Sequence, residues 1–230
     1  MRVVVLISDK AEWRAVCERY PDAPRQAAPF GEWLVETLPV GEALEPVVFL
    51  HSGVGKIASA ASTQYAIDRW SPSLLVNLGT CGGFEGAVEP GAILLVERTV
   101  VYDILGQMTG SDDMIAHYTT ELDLAWLADP LPLPVRRTLL VSADRDLVPE
   151  ELPGLAARFG AVAGDWESAA IAYVAARNGT RCLILRGVSD MVGSDGGEAY
   201  ADFRLYVERA GIILHRLLDS LPDWIARAPL

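Results

Sequence analysis

Three acidic residues lie where the chain passes between a predicted strand and a predicted helix. Glu12 stands one helical turn beyond the apolar run Val3–Ile7, and Asp190 follows an apolar strand predicted over residues 182–188. Glu167 stands at the entrance of an alanine-rich helix predicted over residues 167–177. Because open α/β sheets bind ligands beyond the carboxyl ends of their strands, we expect these three carboxylates to meet in one cleft.

The three carboxylates suit the cleavage of a glycosidic bond, which passes through an oxocarbenium-like state. Asp190 could protonate the departing group, with its pKa raised by burial behind the apolar strand. Glu12 could activate water, and Glu167 could bind a pair of sugar hydroxyls. Each acid also has a simpler interpretation: Glu12 as a solvated first-turn acid, and Asp190 as a cap. Glu167 is harder to explain in this way, because a carboxylate heading a buried helix needs polar partners.

Two glycine-rich segments follow predicted strands. Residues 53–58 fit the spacing of a dinucleotide-binding turn, but the next strand ends in Asn77-Leu78-Gly79 without the acid that would hold a ribose. We therefore interpret them as a tight strand-to-helix turn rather than a site for NAD. Residues 79–83 contain three glycines and are predicted to form a turn whose main-chain N–H groups face a ligand.

Apolar runs that alternate with helical patterns predict the architecture. Strands are predicted over residues 3–7, 32–38, 47–51, 74–78, 92–101, 138–142 and 181–188. Helices are predicted over residues 10–19, 56–70, 167–177 and 198–221, with a short one near 121–127. The pattern predicts one α/β domain over residues 1–230, with three layers and a mixed, twisted central sheet flanked by helices. The sheet is expected to be mixed because a short turn around Gly41 separates two of its strands.

Composition limits the partners and the compartment. The chain has 230 residues and a formal net charge of −12, so it should repel nucleic-acid phosphates and anionic membranes. No stretch reaches the roughly 20 apolar residues of a membrane span, and the N-terminus lacks a signal-peptide pattern. Cys17, Cys81 and Cys182 form neither a zinc pattern nor a disulfide framework. We expect a cytoplasmic protein with a small-molecule partner.

Four blocks carry a resemblance that runs along most of the chain. They are Ser52-Gly53-Val54-Gly55-Lys56, Asn77-Leu78-Gly79-Thr80-Cys81-Gly82-Gly83, Asp165-Trp166-Glu167-Ser168-Ala169-Ala170 and Arg186-Gly187-Val188-Ser189-Asp190. In this order and spacing they resemble the nucleoside phosphorylase and nucleosidase superfamily, and within it the 5′-methylthioadenosine/S-adenosylhomocysteine nucleosidases.

The resemblance implies a purine nucleoside substrate, no metal, no organic cofactor and a homodimer. It implies that Glu12 positions and activates water, that Asp190 serves the purine N7 with support from Ser189, and that Glu167 holds ribose hydroxyls. The remaining residues that it places around the substrate are Thr80, Cys81, Gly82, Leu147, Trp166 and Tyr200.

Water is favoured over phosphate as the attacking group. Related phosphorylases begin with a Gly-Asp-Pro-x-Arg-like segment and carry an arginine shortly before the second glycine block, because phosphate needs bidentate cationic contacts. This chain has Ser8-Asp9-Lys10-Ala11-Glu12 and Asn77 at those places.

Alternatives remain open: a futalosine-type nucleoside hydrolase, a purine nucleoside phosphorylase, or a nucleoside-binding module without catalysis. Arg145 and Asp146 put charges where the family commonly has apolar residues, and Trp166 replaces the usual methionine. These departures leave the base and the 5′ substituent undecided.

Overall fold

The computed structural model describes residues 2–108 and 110–229. Its strands are β1 (Val3–Ile7), β2 (Gln26–Ala28), β3 (Gly31–Val40), β4 (Ala43–His51), β5 (Leu74–Phe84), β6 (Ile93–Val101), β7 (Thr120–Glu121), β8 (Arg136–Ser142), β9 (Ala163–Asp165), β10 (Arg181–Gly193) and β11 (Gly196–Gly197). Its α-helices are α1 (Lys10–Arg19), α2 (Gly55–Trp70), α3 (Asp112–Tyr118), α4 (Leu152–Phe159), α5 (Ser168–Arg177), α6 (Glu198–Ala201) and α7 (Phe203–Ile225). A 3₁₀ turn (Pro149–Glu151) precedes α4.

The sheet is mixed, and half of it closes on itself. β1 lies between β4 and β5 and runs parallel to both, and β2, β3 and β4 form an antiparallel meander at one side. β5 pairs in parallel with β10 and in antiparallel with β9. β10 pairs with β6, β6 with β8, and β8 with β9, so that five strands form a ring.

Helices cover both faces of the sheet. Successive β1 side chains alternate between two cores: Val3, Val5 and Ile7 pack with α1 and α7, whereas Val4 and Leu6 pack with α2 and α5. All five are fully buried, which explains why β1 is apolar throughout rather than alternating. The predicted three-layer α/β domain with a mixed sheet is confirmed.

The glycine-rich segment at residues 79–83 was predicted to form a turn. In the structure it forms the second half of β5. The prediction was wrong because glycines are a local turn signal, whereas here they permit close packing across the ring. A Cβ at Gly79 would overlap Arg186 Nη1, and a Cβ at Gly83 would lie 2.7 Å from side-chain carbons of Val188 and Val88. The strand therefore continues toward the predicted site instead of ending before it.

Three other boundaries also differ from the prediction. β10 continues beyond residue 188 to Gly193, with a bulge at Ser189, so Asp190 lies inside the strand. The helix predicted near residues 121–127 is absent there, and a helix forms at α3 instead. The long C-terminal helix is two helices, because Asp202 leaves the helical conformation and caps α7 by accepting from the N–H groups of Arg204 and Leu205. No helix in the described part of the chain is both long enough and apolar enough to span a bilayer.

Candidate active site

A cavity of about 340 Å³ opens at the carboxyl ends of β1 and β9 and beside the distal halves of β5 and β10. All ten residues singled out from the sequence line it. They are Glu12, Thr80, Cys81, Gly82, Leu147, Trp166, Glu167, Ser189, Asp190 and Tyr200. The chain thus brings together side chains that are up to 188 positions apart, while the roles predicted for them remain predictions.

Glu12 enters the cavity from the first turn of α1. Asp9 caps this helix, and Glu12 completes a capping box by accepting from the Asp9 N–H at 3.3 Å. The other carboxylate oxygen accepts from Thr80 twice, from its N–H at 2.6 Å and from its hydroxyl at 2.8 Å. Glu12 is only 2% exposed, so it is not the solvated acid of the simpler interpretation.

Two opposing effects act on the Glu12 carboxyl. Burial is the largest effect and leaves its pKa raised overall, whereas the positive charge of Arg186 and the hydrogen bonds from Thr80 lower it. The lowering contacts all favour the ionised form, which is the form that can accept a proton from water.

Glu167 stands at the N-cap of α5 and contacts the turn before α2. Its Oε1 accepts from the Gly55 N–H at 3.0 Å, and its Oε2 lies 4.0 Å from Arg186 Nη2. Gly55 has a φ of +87°, and a Cβ there would lie 3.0 Å from Asp144 Oδ1. The turn that resembled a dinucleotide fingerprint therefore supplies an N–H group to a buried acid. Burial raises the pKa of Glu167, with a further increase from the neighbouring Asp165.

Asp190 lies just past the bulge in β10, which aims its side chain into the cavity. The Ser189 hydroxyl donates to Asp190 Oδ1 at 2.7 Å, and Asp190 is 6% exposed. Burial raises the pKa of the Asp190 carboxyl, while the bond from Ser189 lowers it. A buried carboxyl with a raised pKa is suited to donate a proton near neutral pH.

Arg186 is the residue that the sequence prediction missed. It is fully buried in β10, and its Nη2 contacts Asn77 Oδ1 at 2.7 Å and Asp165 Oδ2 at 2.8 Å. Its Nε donates to the Ser168 hydroxyl at 2.9 Å. The available signal was a charged residue inside an apolar strand, which must find buried partners. Arg186 is the buried cation around which Glu12, Glu167 and Asp165 are arranged.

One side of the cavity is covered by Tyr200. It lies on α6, about half exposed, and its hydroxyl donates to the main-chain oxygen of Leu147 at 3.0 Å. Further lining residues that the sequence prediction did not select are Asp9, Val54, Gly164, Asp165, Ala199, Phe203 and Tyr206.

The lining is strongly acidic. Carboxyl groups line the cavity at Asp9, Glu12, Asp146, Asp165, Glu167 and Asp190. Arg145 is the cationic residue among the described lining residues, and it pairs with Glu151 at 2.5 Å. Among the described lining residues, an anion would therefore meet no unpaired cationic side chain. No group of three or more His, Cys, Asp or Glu side chains in the described ranges is arranged to hold a metal ion.

Comparison with known proteins shows the family to which this α/β chain belongs. Residues 2–221 match the family model of the phosphorylase superfamily, and the chain belongs to that superfamily. A 5′-methylthioadenosine/S-adenosylhomocysteine nucleosidase from Marinomonas sp. (strain MWYL1) is 25% identical over 187 residues, which cover 76% of this chain and 81% of that relative.

Solved structures show the same fold. The MTA/SAH nucleosidase of Streptococcus pneumoniae, in complex with 8-aminoadenine, superposes with a TM-score of 0.78 at 20% identity, covering 99% of this chain and 100% of that one. The futalosine hydrolase of Helicobacter pylori gives a TM-score of 0.78 at 16% identity, with 97% of each chain covered.

Proposed function

We propose that this protein hydrolyses the N-glycosidic bond of a purine nucleoside. The substrate is 5′-methylthioadenosine, S-adenosylhomocysteine or both, and the products are adenine and the 5′-substituted ribose. The observation that carries the proposal is that Glu12, Glu167 and Asp190, which are far apart in sequence, line one buried cavity. The nucleosidase relative from Marinomonas sp. (strain MWYL1) supports the choice of substrate.

In the proposed mechanism, Asp190 donates a proton to the purine N7 and makes the base a better leaving group. Ser189 holds the Asp190 side chain by its 2.7 Å hydrogen bond. Glu12, held by the two donors of Thr80, accepts a proton from the water that attacks the ribose C1′. The negative charge in the cavity stabilises the oxocarbenium-like transition state.

The remaining lining residues bind the substrate. Glu167 accepts hydrogen bonds from the ribose hydroxyls, and Trp166 packs beside it. Leu147 contacts the base, and Tyr200 covers the ribose. Thr80, Cys81 and Gly82 form the floor under the sugar and the base, where the absence of a side chain at Gly82 leaves room beside Leu147 and Asp190.

Hydrolysis is favoured over phosphorolysis by the charge of the cavity. A phosphate would face several carboxylates, and Arg145 is already paired with Glu151. The donors of the buried Arg186 are directed at Asp165, Asn77 and Ser168. Phosphate binding requires cationic donors that are free for bidentate contacts.

The test is to incubate the protein with methylthioadenosine, adenosylhomocysteine, inosine and futalosine, each with and without phosphate, and to measure the free base. We expect adenine release from the first two substrates without phosphate. Strict dependence on phosphate would sink the hydrolase proposal, and preferential cleavage of futalosine would support the alternative substrate. Nucleoside binding without release of any base would identify a binding module.

We further propose that the protein works in the cytoplasm, in methionine salvage, as a homodimer. A second, apolar cavity of about 430 Å³ lies between α2 and α5, lined partly by Ile57, Ile104 and Tyr173. Ile57 is 83% exposed, and Leu105, which follows the lining residue Ile104 in the chain, is also exposed. Exposed apolar side chains around an apolar groove are typical of a protein interface.

Ile57→Asp is therefore expected to convert the dimer into a monomer, because it places a charge on an apolar interface. Light scattering coupled to size-exclusion chromatography would measure the mass. Ile212→Asp is the matched control, since Ile212 is an exposed isoleucine on α7, which packs on the other face of the sheet. A monomeric wild-type protein, or an Ile57→Asp variant that remains a dimer, would contradict this interface.

A further inference from the structure

An ion pair between Arg209 and Glu198, neither of which has a role in the proposed mechanism, contacts the main chain on both sides of Asp190. Arg209, on α7, donates from Nη1 to Glu198 Oε2 at 2.7 Å, and Glu198 is the first residue of α6. The same nitrogen donates to the main-chain oxygen of Ser189 at 2.9 Å. Glu198 Oε2 also accepts from the N–H of Met191 at 3.0 Å. The pair thus holds the peptide groups on both sides of Asp190.

The same pair fixes the segment that covers the cavity. Glu198 attaches α6 to β10, and Tyr200, two residues later, attaches it to the Leu147 carbonyl. The four-residue helix α6 therefore has one anchor beside Asp190 and another across the cavity mouth. Arg209 comes from a different element, so the arrangement depends on how α7 packs against β10.

We propose that Glu198 and Arg209 are positioning residues that hold Asp190 in place and set the pH range over which it can act as an acid. This inference rests on the proposed function, in which Asp190 is the proton donor. The two residues act through Asp190 and do not line the cavity themselves.

Groups from four other elements and from β10 itself face the Asp190 carboxyl. They are Ser189 on β10, Glu198 and Tyr200 on α6, Arg209 on α7, Asp146 in the loop after β8, and Cys81 on β5. Of the charged groups, Glu198 and Asp146 raise the pKa of Asp190, and Arg209 lowers it. The hydrogen bond from Arg209 lowers the pKa of Glu198, so the pair is ionised near neutral pH.

Removing the charge of Glu198 and removing the charge of Arg209 should shift the pKa of Asp190 in opposite directions. kcat/KM falls as pH rises through the pKa of a required acid. Glu198→Gln removes a negative charge that raises the pKa of Asp190, while the positive charge of Arg209 still lowers it. The alkaline limb of the pH profile should therefore move to lower pH. Arg209→Met removes the positive charge, so the limb should move to higher pH. Each displacement should be roughly half a pH unit, the size expected of one partly exposed charge.

The experiment measures pH profiles of kcat/KM for the wild type, Glu198→Gln, Arg209→Met and Arg209→Lys. Arg209→Lys keeps the charge and should restore the wild-type limb. The difference in pH between the alkaline limbs of Glu198→Gln and Arg209→Met should become smaller at high salt, because exposed charges are screened. If the pair had only a structural role, Glu198→Gln and Arg209→Met would both lower activity without moving the alkaline limb in opposite directions.

A second ion pair supplies matched controls. Arg137 and Glu97 lie 2.8 Å apart, against 2.7 Å for Arg209 and Glu198. Their side chains are 40% and 44% exposed, against 31% and 44% for Arg209 and Glu198. Glu97→Gln and Arg137→Met should leave the limb in place. Equal movement in the controls, or movement in the same direction for Glu198→Gln and Arg209→Met, would overturn the inference.

A measurement that does not depend on turnover separates this inference from the proposed function. The carboxyl-carbon NMR resonance of Asp190, assigned with Asp190→Asn, should titrate at lower pH in Glu198→Gln and at higher pH in Arg209→Met. If the Asp190 titration shifts in opposite directions in the two variants but no nucleoside is cleaved, the effect of the pair on Asp190 is supported and the proposed function is rejected. Cleavage with an unmoved resonance would reject the inference alone.

Discussion

Replacing Asp190 with asparagine is expected to lower kcat/KM by on the order of 10²-fold or more, the contribution typical of a general acid. Asparagine has nearly the same shape and can still accept the Ser189 hydroxyl through its amide oxygen. Its amide cannot transfer a proton to the purine at neutral pH, so the base must leave with its charge uncompensated. Binding should be retained, because the amide can still donate a hydrogen bond to N7.

Steady-state kinetics with methylthioadenosine, together with calorimetric binding of adenine, would separate these two effects. Asp195→Asn is the matched control, since Asp195 is an exposed aspartate five residues along the chain that does not line the cavity. Turnover by Asp190→Asn within a fewfold of the wild type would remove Asp190 from the mechanism. An equal loss of binding and turnover would instead indicate a role in holding the substrate.

Arg186→Met is expected to reduce the free energy of unfolding by about 3 to 5 kcal/mol, the usual cost of removing one partner from a buried charge network. The methionine can fill part of the space of the arginine stem. It leaves Asp165 Oδ2 and Asn77 Oδ1 without the donors that they now face at 2.8 and 2.7 Å. The carboxylates of Glu12 and Glu167 also lose the nearby positive charge that lowers their pKa values.

Urea unfolding followed by circular dichroism would measure this loss. Arg181→Met is the control in the same strand, because Arg181 is only partly buried and donates to main-chain carbonyls of Ser73 and Pro229. It should cost less than about 1 kcal/mol, as for other surface contacts. Equal losses in the two variants would contradict the central role given to Arg186, and Arg186→Lys tests whether charge alone restores stability.

The fold class could be predicted because it depends on local patterns. Fully apolar runs such as Val3–Ile7 indicate a strand covered on both faces, and the capping residue Asp9 marks the start of α1. The positions of Glu12 and Glu167 at the starts of helices could also be predicted from local patterns. The resemblance then indicated which elements lie together, and the ten site residues that it implied all line the cavity.

The remaining features depend on contacts between distant residues. The partners of Arg186 include Asn77, which is 109 positions away, and no local pattern pairs the two. The glycines of β5 look like a turn until the guanidinium packed against Gly79 is known. Similarly, the extension of β10 past Val188 depends on hydrogen bonding to the far half of β5, which a strand propensity does not reveal.

The bulge in β10 restricts how this protein can change in evolution. Arg186, Ser189 and Asp190 serve the site from one short stretch of strand, and the single extra residue at the bulge sets the direction of the last two side chains. Adding or deleting one residue between 186 and 190 would turn the acid toward the opposite face of the sheet. The exposed turn at Gly41-Glu42 can gain or lose residues in descendants, whereas this five-residue stretch can vary by substitution but not in length.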